Sequence, residues 1–282
     1  MLVILFLASL IGISLGLLGG GGSILAVPVL VYAAGLPVKE AIATSLLVVG
    51  STALLAVVPH ARKGNLEWRT GSVFAVTAMI GAYFGGLAAD WFSGTTLLLL
   101  FAAMMVVTSL AMFRGRRDLQ AKKGRSLSVP LVVSEGLAVG AVTGLVGAGG
   151  GFLVVPALVL LGGMEMHKAV GTSLMVIGLK SFAAFAGHAA HASIDTELAL
   201  MVTIAAVFGS QVGALFADRV PATSLRKIFA GFVLLMAAYV VHREAGILAA
   251  CAVSLAALSI LSWWYWRASS IAESNLTPGG AK

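Results

Sequence analysis

Two glycine clusters contain residue types at a spacing that could bind an anion. The first cluster runs from Gly19 to Gly22, and the residues in it that could bind are Gly21, Gly22 and the following Ser23. In the second cluster they are Gly149, Gly150 and Gly151. Four consecutive glycines in the first cluster would cost a continuous helix about 1 kcal/mol each relative to alanine, so a helix break is predicted. The N–H groups that open the next helix, together with the positive end of its dipole, form a typical anion site.

Hydroxyl side chains follow each cluster at matched places. Thr44 and Ser45 lie early in one predicted span, and Thr172 and Ser173 lie early in another. Their hydroxyls could donate to an oxyanion, or they could bond to carbonyls of their own helices, which is the commoner fate of such residues.

Lys180 is the most informative single residue, because it lies near the middle of an apolar span. A charge there costs at least about 2.5–3.5 kcal/mol, so it needs a function or a partner. The functional interpretation is a fixed cation that neutralises a bound anion. The alternative is an ion pair with an acid such as Glu135. Gln211 is a further polar residue within a span and could line the same cavity.

Other chemistry has little support in the sequence. Cys251 is the only cysteine and the five histidines lack ligand spacing, so neither a metal site nor a cofactor is expected. His60 and His188 occupy matched positions near span ends, which favours interfacial histidines over proton-sensitive gates. No Ser/His/Asp or paired-carboxylate pattern is present in the sequence, so the chain is not expected to be an enzyme.

The composition predicts a membrane protein. The chain is 60% hydrophobic and only 10% charged, with a mean hydropathy of +1.04, whereas soluble domains carry about 25% charged residues. The net charge of +7 comes mostly from short loops between apolar segments. It therefore indicates membrane orientation and not nucleic-acid binding.

The chain repeats itself at an offset of 128 residues. Gly16 aligns with Gly144, Pro28 with Pro156, and this register continues to the aspartates at 90 and 218. Each repeat has a glycine-broken segment (2–34; 129–162) and three predicted spans (39–61, 70–90, 95–113; 167–190, 196–218, 223–242). A seventh span is predicted at 245–266, ending in a tryptophan-rich belt.

Loop charges favour a re-entrant hairpin for each broken segment over a single kinked crossing. With hairpins, fifteen lysines and arginines lie on the side of the basic connector, and only Lys39 and Arg243 lie opposite. Single crossings would divide them ten against seven. The positive-inside rule prefers the first arrangement, and three full crossings per repeat then make the two repeats inverted.

The doubled motif Gly16-x-x-Gly-x-Gly-Gly-x5-Pro28, followed by Ala43-Thr44-Ser45-Leu46 and repeated from Gly144, resembles the TauE/SafE sulfite exporter family of membrane permeases. The resemblance covers residues 3–242. It implies transport of a small anion, such as sulfite or an organosulfonate, in either direction.

We therefore expect an all-α polytopic membrane protein of two inverted repeats, each a re-entrant hairpin plus three transmembrane helices, with one extra C-terminal helix. The expected units are a first repeat (1–113), a cytoplasmic connector (114–128), a second repeat (129–242) and a C-terminal helix with a cytoplasmic tail (243–282). The expected location is the inner membrane, and the expected partners are a small anion and lipid. The sequence also allows a coupling proton, a homo-oligomer, a passive channel or a membrane assembly protein.

Overall fold

The computed structural model describes residues 1–20, 22–114, 129–147, 149–161, 163–189, 192, 194–219, 221–249 and 251–252. Within these ranges the chain forms helices and no strands. The first-repeat helices are α1 (Leu2–Leu18), α2 (Ser23–Pro28), α3 (Val38–Arg62), α4 (Trp68–Ala88) and α5 (Gly94–Arg114). Those of the second repeat are α6 (Val129–Val146), α7 (Gly151–Pro156), α8 (Met166–His188), α9 (Thr196–Phe216) and α10 (Ala222–Ala245).

The helix boundaries follow the sequence repeat. Helices α7, α8, α9 and α10 each begin 128 residues after α2, α3, α4 and α5. Because the same local sequence gives the same start and stop in both halves, the repeat is structural as well as sequential.

In the part of the chain that the structure describes, five helices are long and apolar enough to cross a membrane, namely Val38–Arg62, Trp68–Trp91, Gly94–Phe113, Met166–His188 and Thr196–Phe216. Helix α10 has 24 residues, which gives a length of about 36 Å against about 30 Å of hydrocarbon. The prediction of an all-α polytopic membrane protein is confirmed. Most of the seventh predicted span, 245–266, lies outside the described residues.

Each glycine-broken segment folds back on itself. Helix α1 ends at Gly19, whose φ of 72° requires a residue without a side chain. Gly22 then lies against Ile11 and Leu15 of α1, and the helical turns Val29–Ala33 contact α1 as well. A straight continuation would carry those turns away from α1, so the chain has reversed direction. In the second repeat Gly150 lies against Thr143 of α6 in the same way.

Both returning helices widen after a proline. Pro28 has no N–H to donate to the carbonyl four residues earlier, and the turns that follow it are π-helical. Their wider spacing is visible in the bond from the Ala34 amide to the Val29 carbonyl, at 3.0 Å. The second repeat has the same feature after Pro156.

The equivalent helices α3 and α8 pack against each other antiparallel. Gly171 lies beside His60, Gly178 beside Leu54, and Gly50 beside Phe182. Residue numbers thus rise along α8 as they fall along α3. This antiparallel pair joins the two repeats through matching elements.

Helix α1 packs parallel to α9, and α4 packs parallel to α6, through glycine, and each pair joins the two repeats. A Cβ atom on Gly12 or Gly16 of α1 would strike the carbonyls of Ala206 and Ser210 on α9. Reciprocally, a Cβ atom on Gly85 of α4 would strike α6. Glycine is needed here because the backbones are in direct contact, so Gly12 and Gly16 of α1 serve close helix packing.

Candidate functional site

The two glycine turns meet at the centre of the molecule. A Cβ atom on Gly20 would strike the backbone of Gly151, so the turns approach each other as closely as two backbones can. The Ser23 hydroxyl donates to the Gly20 carbonyl at 2.7 Å and accepts from the Gly151 amide at 3.3 Å. We call Gly20, Ser23 and Gly149–Gly151 the glycine junction.

The structure brings most of the predicted glycines to this junction. Gly149 lies against Ser23 and Gly151 lies against Gly20. Gly22, although part of the first cluster, packs on its own helix α1 instead. Gly21 lies outside the described residues.

The serines of the two Thr-Ser pairs also reach the turns, each at the turn of the other repeat. The Ser45 hydroxyl donates to the Gly147 carbonyl at 2.8 Å. The Ser173 hydroxyl donates to the Val170 carbonyl at 2.8 Å and lies against Gly19. Both serines are fully buried. The repeats therefore exchange matched contacts across the centre.

The threonines beside them do not share these hydrogen bonds. The Thr172 hydroxyl accepts from the amide of Glu67, just before α4, at 3.0 Å. Thr44 is 1% exposed, and in the described part of the chain its hydroxyl has no hydrogen-bond partner. Successive helical residues differ in direction by about 100°, so adjacent residues cannot both face one point.

Lys180 lies at the glycine junction. Its side chain is among the largest that are fully buried, and its Nζ donates to the Thr143 hydroxyl at 2.6 Å. The same Nζ lies against Gly150, in the space that a Cβ atom there would occupy. A longer side chain at position 150 would therefore displace the ammonium group.

The alternative partner for Lys180 is not in reach. Glu135 lies about two turns before Thr143 on α6 and forms no ion pair with Lys180. The ion pairs of Lys39 with Asp90 and of Lys168 with Glu67 join partly exposed side chains away from Lys180. A buried ammonium without a carboxylate is costly unless a ligand supplies the negative charge.

Gln211 lies away from the glycine junction. Its amide donates to the Leu55 carbonyl on α3 at 3.3 Å, on a partly exposed surface between α3 and α9. This contact gives the side chain a structural partner of its own.

The histidines differ from the interfacial placement that the sequence favours. His60 and His188 are only 2% and 6% exposed. Their Nε2 atoms lie 3.2 and 2.8 Å from the carbonyls of Gly16 and Gly144. Because a carbonyl can only accept, each Nε2 carries a proton and donates. These carbonyls belong to the last turns of α1 and α6, where the helix break removes the amides that would otherwise donate to them. The histidines supply donors in place of those amides.

Sequence reasoning missed Thr143 and the role of these histidines. Thr143 is aligned with Leu15, so the repeat gave no matched pair to notice. The histidines were visible as a matched pair, but only the fold relates them to the carbonyls of a broken helix. Within the described ranges, no cluster of three or more His, Cys, Asp or Glu side chains could hold a metal ion.

Comparisons with known proteins agree on one class. The family model described as sulfite exporter TauE/SafE matches residues 4–240. A probable membrane transporter protein of Xylella fastidiosa (strain 9a5c) is 35% identical over 241 residues, covering 83% of this chain and 92% of the relative. The probable membrane transporter YdhB of Bacillus subtilis (strain 168) is 26% identical, covering 80% of this chain and 94% of YdhB. No solved structure matches the chain.

Proposed function

Because this chain belongs to the TauE/SafE sulfite exporter family of membrane transporters, we propose that it is a secondary transporter for a small anion, sulfite or an organosulfonate, which binds at the glycine junction. One observation carries the proposal. The buried ammonium of Lys180 lies against Gly150 and has no carboxylate partner among the described residues. An anion there would supply the missing charge.

The surrounding groups have the chemistry to complete such a site. Gly150 brings backbone against the ammonium, and the Gly151 amide, which now donates to the Ser23 hydroxyl, would be available to an anion once the two turns separate. The hydroxyls of Ser45 and Ser173 now donate to the carbonyls of Gly147 and Val170. We propose that the anion takes these donors over when the two turns separate.

Alternating access fits the way in which the repeats are joined. The antiparallel packing of α3 against α8 supports two inverted repeats, and the central junction supports a site shared between them. Separation of the two glycine turns, towards one face and then the other, would open the junction to each side of the membrane in turn.

Two contacts favour hairpins over single crossings. Lys168, in the first turn of α8, lies 3.8 Å from Glu67, which follows α3. The Tyr32 hydroxyl, near the end of the first broken segment, donates to Glu244 in the last turn of α10 at 2.8 Å. Single crossings would put each of these pairs on opposite faces. With hairpins the partners share a face, and the connector 114–128 and the C-terminus are assigned to the cytoplasm by the positive-inside rule.

Labelling of single cysteines tests this topology. We expect Lys39→Cys and Lys168→Cys, in a Cys251→Ser background, to react with a membrane-impermeant maleimide from opposite faces of the inner membrane. Lys39→Cys should react in intact spheroplasts, and Lys168→Cys only after the membrane is opened. Both parent lysines are partly exposed, so both positions are within reach of the reagent. Reaction of both from the outside would establish single crossings instead.

Counterflow in liposomes tests the transport function. Liposomes containing the purified protein and a high internal concentration of unlabelled sulfite should accumulate radiolabelled sulfite from outside transiently and saturably. A carrier gives this overshoot because the internal substrate returns the site to the outer face. A passive channel would give equilibration without overshoot, and a membrane assembly protein would give no flux above that of empty liposomes.

A further inference from the structure

The glycine junction has a charge balance that restricts what it can bind. Among the side chains that the structure describes, Lys180 is the only lysine, arginine, aspartate or glutamate that is buried. Lys180 is therefore the one formal charge deep in the described helical core, and Thr143, the partner of its Nζ, is neutral.

The first repeat adds no second charge. The counterpart of Lys180 is Thr52, and the counterpart of Thr143 is Leu15. Thr52 is buried and its hydroxyl donates to the Val48 carbonyl of its own helix at 2.6 Å. The site is thus similar in backbone between the two repeats but asymmetric in charge, with Lys180 as its one cation among the described residues.

From this asymmetry we infer that the junction selects anions of a single negative charge and rejects dianions of the same size. The inference rests on the proposed transport function and names the substrate class of the same site. One buried cation balances one negative charge. A second negative charge would be buried without a partner, and in a low-dielectric interior that penalty outweighs the added attraction. Hydrogen sulfite and monosulfonates therefore fit, whereas sulfate and sulfocarboxylates do not.

Pairs of anions matched in shape test the inference on the unaltered protein. Methanesulfonate and sulfate are both tetrahedral at sulfur and differ in charge. Isethionate and sulfoacetate share a two-carbon sulfonate skeleton and also differ in charge. Counterflow of each labelled anion should show at least about a 10-fold lower half-saturation concentration for the monoanion of each pair, since one uncompensated charge costs more than 1.4 kcal/mol.

The Thr52→Lys variant tests the same preference for monoanions by changing the charge of the protein instead of that of the anion. A lysine at the counterpart of Lys180 adds the second cation, so this variant should shift the preference towards sulfate and sulfoacetate by about 10-fold or more. Thr52→Val is the matched control, because it keeps the side-chain shape without adding charge, and it should retain the selectivity of the wild type.

The outcomes separate the two ideas. Preference for both monoanions supports the inference, and it stands on the wild-type measurements even if Thr52→Lys does not fold. Equal or better counterflow of the dianions overturns the inference and leaves anion transport intact. No counterflow of these four anions or of sulfite overturns the proposed function itself.

Discussion

Replacement of Lys180 by methionine is expected to lower anion counterflow by about 100-fold while raising the thermal stability of the protein. Removing one member of a buried, hydrogen-bonded charge pair costs about 2–5 kcal/mol of binding. The same change removes a buried ammonium that has no carboxylate partner among the described residues. Methionine fills a similar volume without the desolvation penalty, so the ligand-free fold gains stability.

The opposite signs of the two effects distinguish a binding role from a structural one. A lysine that served only to anchor α8 to Thr143 would lose stability and transport together on substitution. Leu179→Met is the matched control, because Leu179 is the neighbouring residue on α8 and is 37% exposed. It should change neither the melting temperature nor the half-saturation concentration. Unchanged transport in Lys180→Met would show that Lys180 is not the cation that balances the charge of the bound anion.

The membrane helices and their repeat could be predicted because both rest on signals that extend over many residues. The offset of 128 residues paired the two glycine clusters, and loop charge favours a hairpin for each broken segment. Each of these signals is summed over many residues of one chain, so a single sequence is enough to detect it. The close approach of Gly20 to Gly151 follows from that arrangement.

The direction of individual side chains could not be predicted in this way. The Ser45 hydroxyl bonds to the turn of the other repeat, whereas the hydroxyl of Thr44 beside it has no hydrogen-bond partner among the described residues. Helix rotation decides between them, and both residues are equally polar in the sequence. Gln211 was a reasonable candidate by polarity, but it lies on the surface where α9 meets α3. Contacts between distant elements, such as that of Lys180 with Thr143, exist only once the helices have packed.

The repeats also explain why glycine appears in two separate roles. On α1, α4, α6 and α9 it permits parallel helices of opposite repeats to touch along their backbones. At the turns it permits two loops to meet end to end. The helix contacts are extensive and fix each broken helix to the opposite repeat. The end-to-end contact is small, so the turns are the part of this interface that can separate at the lowest cost.

Gly20→Ala should therefore force the two glycine turns apart without disturbing the rest of the fold. The added methyl group would occupy the space of the Gly151 backbone, which has no flexible side chain to move aside. The turns must shift apart, at a cost of about 1–3 kcal/mol for overpacking. Transport should fall by at least about 10-fold, because the distance between Ser23 and the Gly151 amide, now 3.3 Å, would increase. Counterflow and thermal unfolding in detergent measure the two effects.

Gly231→Ala provides the matched control for this change. Gly231 lies within α10, and the nearest atom to a Cβ there is on Phe113 at 4.0 Å, so the methyl group has room. Alanine in a helix interior is favoured over glycine by about 0.5–1 kcal/mol, and the control should unfold at an equal or higher temperature with unchanged transport. If Gly20→Ala behaved like this control, the two turns could not be in contact during transport, and the anion site would have to lie outside the glycine junction.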